Sequence, residues 1–338
     1  MTHELKYIVE QALWAKQNNI KSVLASVVAL DGSSYRRPGV RMLVLEGGRM
    51  VGAVSGGCVE KEILLQSETV FKTGVSKIMT YDGRYRLGCE GILYILLEQF
   101  EPTEAFSSAF FSCLKERKPL EVWSYFNKKE GSVLGIGSVV KIEEKTFSIS
   151  ALGIGIDTTK QSVFKQKLPP CFKMVIVGAE HDAVQLCKYA ALTGWEVTVI
   201  AGASESKSIT DFPGAHAFYA QTPEQLGTQV IDEQTAVVLM SHNFANDLRY
   251  LVALKACKPA YIGLLGPARR REDMLSQFLE YCPDADEAFL DSIYGPAGIN
   301  IGAETPQEIA VSIISEILAV TRQQEPIPLS QKTGCIHS

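Results

Sequence analysis

At 338 residues the chain has room for about two domains of ~150 residues each, and its 46% apolar and 21% charged residues fit an ordinary globular core. A net charge of −5 excludes the broadly basic surface of a general nucleic-acid binder, and no apolar run reaches the ~18 residues of a membrane span. The opening MTHELKYIVEQALWAKQNNIK lacks a basic segment followed by an apolar core, so a cytoplasmic location is expected. Its Leu5, Ile8, Val9, Ala12 and Leu13 recur at helical spacing and predict an amphipathic helix.

Short β-rich runs follow, SVLASVVAL, VRMLVLE and MVGAVS, divided by DGSS, RPG and GG. From Glu60 to Phe71 the apolar spacing becomes helical, and two more strand patterns, SKIMTYD and ILYILLEQF, flank LGCEG. A helix near 103–117 and strands in EVWSYF and VLGIGSVVKI complete an α+β domain over residues 1–160. The polar stretch DTTKQSVFKQKLPP, residues 157–170, reads as a linker.

Beyond it strands alternate with helices: FKMVIVGAE, AVQLCKYAALTG, EVTVIAG, TAVVLMSH, LRYLVALKAC, AYIGLLG and a helix from about Ala268. That rhythm predicts a doubly wound, Rossmann-like parallel sheet in residues 161–338, so the fold class is α/β with an α+β first domain. ETPQEIAVSIISEILAV predicts a final helix with Thr305 as its cap, Pro306 in the first position and Glu308 closing a capping box.

The eight cysteines include no C-x-x-C pair, which argues against a zinc knuckle, and Cys187 and Cys257 sit in apolar helical patterns as packing residues. The stretch VIVGAEHDA stands where a dinucleotide-binding turn would stand, with Gly178 as its first glycine and Ala183 in the third position. Glu180 replaces the second glycine, and the next strand ends in Ala201 and Gly202 instead of an acidic residue that would hold a ribose hydroxyl. Both features argue against NAD(P). In doubly wound order the strands before His181 and His242 are neighbours, which places the two histidines on facing loops for a ligand or acid–base role. Gly266, in YIGLLGPARRRE, belongs to another strand-to-helix turn, backed by Arg269, Arg270 and Arg271, that can meet an anion.

Taken together, GSSYRRPGVRMLV, SGGCVE and LGCEG in the first half, and VIVGAEHDA, SHNFANDLRYL, YIGLLGPARRRE and GINIGAETPQEIAVSIISEIL in the second, resemble the XdhC/CoxI family over nearly the whole chain. The resemblance implies an accessory protein, not itself a catalyst, that binds molybdenum cofactor and delivers it to an apo molybdenum hydroxylase of the xanthine dehydrogenase type. It also implies a homodimer. The chain departs from the family pattern at Glu180, Ala201, Ser241-His242-Asn243 and Gly88-Cys89-Glu90-Gly91.

For such an anionic, metal-bearing pterin, Arg36, Arg37 and Arg41 are candidate phosphate donors. Ser55, Gly56 and Gly57 form a turn whose N–H groups can face an anion. Cys58, at the start of the following helix, is the candidate metal ligand, since a helix N-terminus stabilises a thiolate. Cys89, in LGCEG, is a second candidate near the metal. The competing reading is an NAD(P)-dependent oxidoreductase that uses the second domain, with His181 or His242 as its acid–base residue.

Overall fold

The computed structural model describes residues 1–32, 37–83, 91–150, 155–228 and 230–333, with Cys58, Gly227 and Thr228 described by their backbone alone. The chain divides into two units, Met1–Pro170 and Cys171–Ser338.

The first unit begins with helix α1 (Thr2–Gln17) and continues through β1 (Ser22–Asp31), β2 (Arg41–Leu45), β3 (Met50–Gly52), α2 (Cys58–Thr73), β4 (Lys77–Asp82), β5 (Ile92–Gln99), α3 (Glu104–Lys115), β6 (Leu120–Phe126), β7 (Gly131–Ser132), β8 (Gly137–Ile142), β9 (Lys145–Ser148) and β10 (Ser162–Leu168). Six strands form one sheet in the order β3-β2-β1-β5-β4-β7, and four form another in the order β10-β6-β8-β9. Every pairing in both is antiparallel.

Strand β1 shows why a nearly continuous apolar run suits the centre of the larger sheet. Successive side chains point to opposite faces. Val23, Ala25 and Val27 pack with Val59, Ile63 and Val70 of α2. Leu24 joins the opposite cluster, with Phe106 and Phe110 of α3 and Val122 and Val140 of the smaller sheet. Both faces are covered, so nearly the whole strand is buried.

The segment expected to be a linker contains β10, which pairs with β6 through seven residues, from Ser162–Phe126 to Leu168–Leu120. It belongs to the first unit. Lys165 and Lys167 give this edge strand a polar composition, the usual protection of an unpaired edge, and that masked its alternation. Lys165 Nζ lies 3.9 Å from the centre of the Trp123 ring.

The second unit runs β11 (Lys173–Val177), α4 (His181–Leu192), β12 (Glu196–Ala201), β13 (Ala215–Ala220), β14 (Thr235–Leu239), α5 (Phe244–Leu254), β15 (Tyr261–Leu264), α6 (Ala268–Tyr281), α7 (Glu287–Asp291), β16 (Ile293–Tyr294) and α8 (Pro306–Thr321). Its sheet has the order β13-β12-β11-β14-β15-β16 and every pairing is parallel. This is the expected doubly wound arrangement. Met174 and Ile176 of β11 pack on the face covered by α4 and α8; Val175 and Val177 pack on the face covered by α5 and α6. Helix α8 is capped as its spacing predicts, with Glu308 N–H donating to Thr305 Oγ1 and Thr305 N–H to Glu308 Oε2.

Candidate functional site

Register in the larger sheet of the first unit gathers three of the motif segments. Asp31, the last residue of β1, lies opposite Ile92, the first of β5, and Asp82 at the end of β4 is also opposite Ile92. Arg41 begins β2, and Gly52 at the end of β3 is opposite Met42. The strand ends that bound the segments 32–40, 53–57 and 83–91 therefore lie at one end of the sheet. Arg36 and Cys89 lie outside the described residues. Arg37 is exposed. At the same end Asp31 accepts from the Tyr94 hydroxyl at 3.0 Å and from Lys128 Nζ, and these bonds, Lys128's foremost, hold its carboxyl below the usual range.

Residues Ser55, Gly56 and Gly57 lead into α2, which Cys58 opens two residues before the first helical position that periodicity indicated. Gly57 has φ +114°, a conformation costly for any side chain. The turn's N–H groups were expected to face an anion, but Glu60 holds several of them. Its buried carboxylate accepts from Val54 N and Ser55 N through Oε1, at 3.0 and 2.5 Å, and from Gly57 N through Oε2 at 2.7 Å. Among the described residues the space beside Gly56 and Gly57 is open, since a Cβ at either position would meet none of their atoms within 4 Å. Glu60 is a residue that the motif reading did not single out; its signal was the three-residue spacing from Gly57, that of a capping box.

Arg41 begins β2 at this end of the sheet, but its side chain is buried and bonded inside the unit. It is paired across the sheet with Ser26 and is only 8% exposed. Its Nη1 donates to the Gly39 carbonyl at 2.9 Å and to Gln166 Oε1 at 2.5 Å. Burial lowers its pKa to about 10, against the opposing pull of Glu98. Glu98 is fully buried and accepts from Ser138 N at 2.8 Å; burial pushes its carboxyl up to about 7. Among the described residues Arg41 Nε and Nη2, Glu98 Oε1 and Ser26 Oγ have no hydrogen-bond partner. The first unit thus encloses a partly satisfied polar cluster.

In the second unit Gly178 ends the β11 turn at φ +138°, and a Cβ there would fall 2.4 Å from the Met240 carbonyl oxygen. The neighbouring strand end alone demands glycine here. Glu180 caps α4 from an exposed position without a side-chain bond to the helix, and His181 and Asp182 follow. His242, at φ 55°, places Nε2 3.6 Å from Asp182 Oδ2. The facing loops thus bring His242 to the first turn of α4, against the residue next to His181, while His181 Nε2 lies 3.5 Å from Gln185 Nε2.

Gly266, at φ +122°, makes room for an arginine: a Cβ there would lie 2.6 Å from Arg270 Cδ. Arg270 Nη2 donates to Asp247 Oδ2 at 2.8 Å, and Ser241 Oγ donates to Asp247 Oδ1 at 2.6 Å. Arg271 donates to the Ile293 carbonyl. Two of the three arginines behind this turn are therefore engaged internally. Cys187 is buried among α4 and β12 side chains, and burial raises its thiol to about 11. Among the described residues no three His, Cys, Asp or Glu side chains cluster as a metal site.

Two family models match the chain. One, described as the XdhC and CoxI family, covers residues 15–82, and the other, the XdhC Rossmann domain, covers residues 174–317. The chain is thus similar to the XdhC and CoxI family in its first unit and to the XdhC Rossmann domain in its second. A protein from Bacillus subtilis (strain 168), named as a probable xanthine dehydrogenase subunit, is 28% identical over 90% of this chain and 94% of its own length. Another, the "Molybdenum cofactor insertion chaperone PaoD" of Escherichia coli (strain K12), is 24% identical over 96% of this chain and 91% of its own. A solved structure from Bacillus halodurans, named a xanthine dehydrogenase, shares the fold, with a TM-score of 0.76, 23% identity, and coverage of 95% of this chain and 98% of that one. No helix among the described residues is long and apolar enough to cross a membrane.

Proposed function

We propose that this protein binds molybdenum cofactor as cargo and delivers it to an apo molybdenum hydroxylase of the xanthine dehydrogenase type, acting as a dimeric cytoplasmic accessory protein and not as the hydroxylase itself. The observation that carries the reading is that the strand ends bounding the three motif segments lie at one end of the first unit's sheet, in a chain similar along nearly its full length to a named insertion chaperone. The open space beside Gly56 and Gly57 suits a bulky cargo that a side chain at either position would obstruct. Arg36 and Arg37 would meet the cofactor's phosphate. Cys58, and secondarily Cys89, would supply thiolate near the metal. Arg41 and Glu60 hold the surrounding backbone in place.

The test is retention. Purified protein is mixed with freshly released molybdenum cofactor and gel-filtered, and co-eluting molybdenum and pterin are quantified for wild type and Cys58→Ala. Stoichiometric retention by the wild type, lost in the variant, is expected. No retention by the wild type, under conditions where a known carrier succeeds, overturns the reading. Retention unchanged in Cys58→Ala removes the thiol from it.

A further inference from the structure

The partly satisfied cluster around Arg41 lies on one face of the larger sheet. Arg41 of β2 is opposite Ser26 of β1, and Glu98 of β5 is opposite Leu24, two residues from Ser26. Residues two apart on a strand share a face, so Arg41 and Glu98 flank β1 on the face that packs against the smaller sheet. There Ser138 of β8 donates its N–H to Glu98, Ser124 of β6 bonds the Ser138 hydroxyl, and Gln166 of β10 accepts from Arg41. The charged residues of the smaller sheet, Glu121, Lys141 and Lys165, gather round Trp123 on its other face. Helices α1 and α3 meet this side through apolar residues, β4 meets it through Ile78, and Ile156 lies beside Gly137. Tyr94, further along β5, is bonded to Asp31. Among the described residues Arg41 is thus the charge that acts on Glu98.

Both groups hold unused bonding capacity. Arg41 Nη1 donates to the Gly39 carbonyl and to Gln166, while its Nε–Nη2 edge is buried without a partner among the described residues. That edge is one that fits a carboxylate bidentately. Glu98 takes the Ser138 N–H on Oε2, and its Oε1 is likewise unmatched among the described residues. A buried carboxylate left bare is costly, so Glu98 retains a proton until a cation meets it, and burial sets that exchange at about 7. The free edge does not bond Glu98 where Arg41 now lies. Pairing the two moves the guanidinium, and the movement takes Nη1 off the Gly39 carbonyl.

We propose that Arg41 and Glu98 form a proton-operated latch on the entry to β2. With Glu98 protonated, Arg41 clasps Gly39 and Gln166; when the proton leaves to solvent, the free guanidinium edge turns to the carboxylate and the Gly39 carbonyl is released. Arg37, two residues before Gly39, is among the groups proposed to meet the cargo's phosphate, so its hold would ease as pH rises. That consequence rests on the delivery reading, and the latch itself does not. The test is magnetic resonance of the full-length chain, without cargo, carrying isotope-labelled glycine and glutamate. The Glu98 carboxyl signal, recognised by its loss in Glu98→Gln, gives the titration. Hydrogen exchange of the Gly39 amide, which donates to the Val27 carbonyl at 2.7 Å, reports the clasp. The Gly74 amide, bonded to the Val70 carbonyl in the same unit, reports general loosening. Corrected for the chemistry of exchange, Gly39 protection should fall about tenfold from pH 6 to pH 8, with the midpoint of the Glu98 titration. Gly74 should not follow, and Glu98→Gln should keep Gly39 protected throughout. Four results would overturn the latch: a Glu98 carboxyl that does not titrate in this range, Gly39 protection indifferent to that titration, an equal loss at Gly74, or the wild-type pH dependence retained in Glu98→Gln.

Discussion

Glu60 in the first unit and Glu180 in the second both stand at the start of a helix behind a glycine-bearing turn, yet they do different things. Glu60 is buried and accepts from three main-chain N–H groups. Glu180 is exposed and bonds to none of its helix's N–H groups. The glycines divide differently. Gly57 borders open space, whereas Gly178 is pressed against the Met240 carbonyl. In the first unit the carboxylate fastens the turn and the glycine is left facing outward. In the second the glycine fastens the turn and the carboxylate is left facing outward. Glu60 is the third residue of α2 and Glu180 the cap of α4, so nearness to a helix start says little about a residue's role until its burial and bonding partners are known.

The largest effect should separate the two glycines. Gly178→Ala combines a disfavoured backbone angle with a backbone clash and should cost at least ~3 kcal/mol, whereas Gly57→Ala carries the angle alone and should cost about 1–2 kcal/mol. Urea denaturation of both variants measures the difference. Equal losses would break the contrast.

The buried carboxylates offer the next test. Asp247 is matched by Ser241 and Arg270, while Glu98 keeps one oxygen unpartnered and has its pKa raised from 4.5 to about 7. Between those values the folded protein holds a proton that the unfolded chain releases, so Glu98's contribution to stability is full below about 4.5 and is lost as pH rises to about 7. Glu98→Gln should remove that slope and be the more stable protein at pH 8, by up to about 3 kcal/mol. Melting wild type and variant at pH 5 and pH 8 checks this, and a gap independent of pH would show that Glu98 does not titrate in that range.

A smaller effect returns to the helix starts. Glu60→Ala strands the N–H groups of the turn and should cost about 2 kcal/mol, while Glu180→Ala should stay within about 0.5 kcal/mol of wild type. A Glu180→Ala loss as large as that of Glu60→Ala would mean that the outward carboxylate also fastens its turn.

These contrasts mark where the sequence was legible. The parallel sheet and its order follow from apolar strands alternating with helices, and the α8 cap from Thr305 and Glu308, because those signals are local. Strand β10 was hidden because an exposed edge strand needs lysines more than apolar alternation. Arg41's inward direction depends on its pairing with Ser26, a register that no single segment encodes. Glu60 was visible as a spacing, but its three bonds depend on how the 54–57 turn folds back.

His242 gives the finest test. Its φ of 55° lies in the left-handed region, which costs a non-glycine residue on the order of 1 kcal/mol. Its contact with Asp182 is between half-exposed groups at 3.6 Å, and pairs of that kind are worth about 0–1 kcal/mol. His242→Ala keeps the strained angle and loses the contact, so stability should fall by a few tenths of a kcal/mol, to about 0.5. His242→Gly loses the same contact but relieves the angle, so stability should hold or rise by about 0.5 kcal/mol. The opposite signs separate a residue that shapes its turn from one that tolerates strain in order to place its ring beside α4. If histidine holds the ring there at the expense of stability, the glycine variant is the more stable protein, as expected of a side chain kept for what it meets at the crevice. If both variants lose stability alike, the left-handed angle carries no measurable cost, the loss is that of the Asp182 contact, and His242 is a fastening of the fold like Glu60.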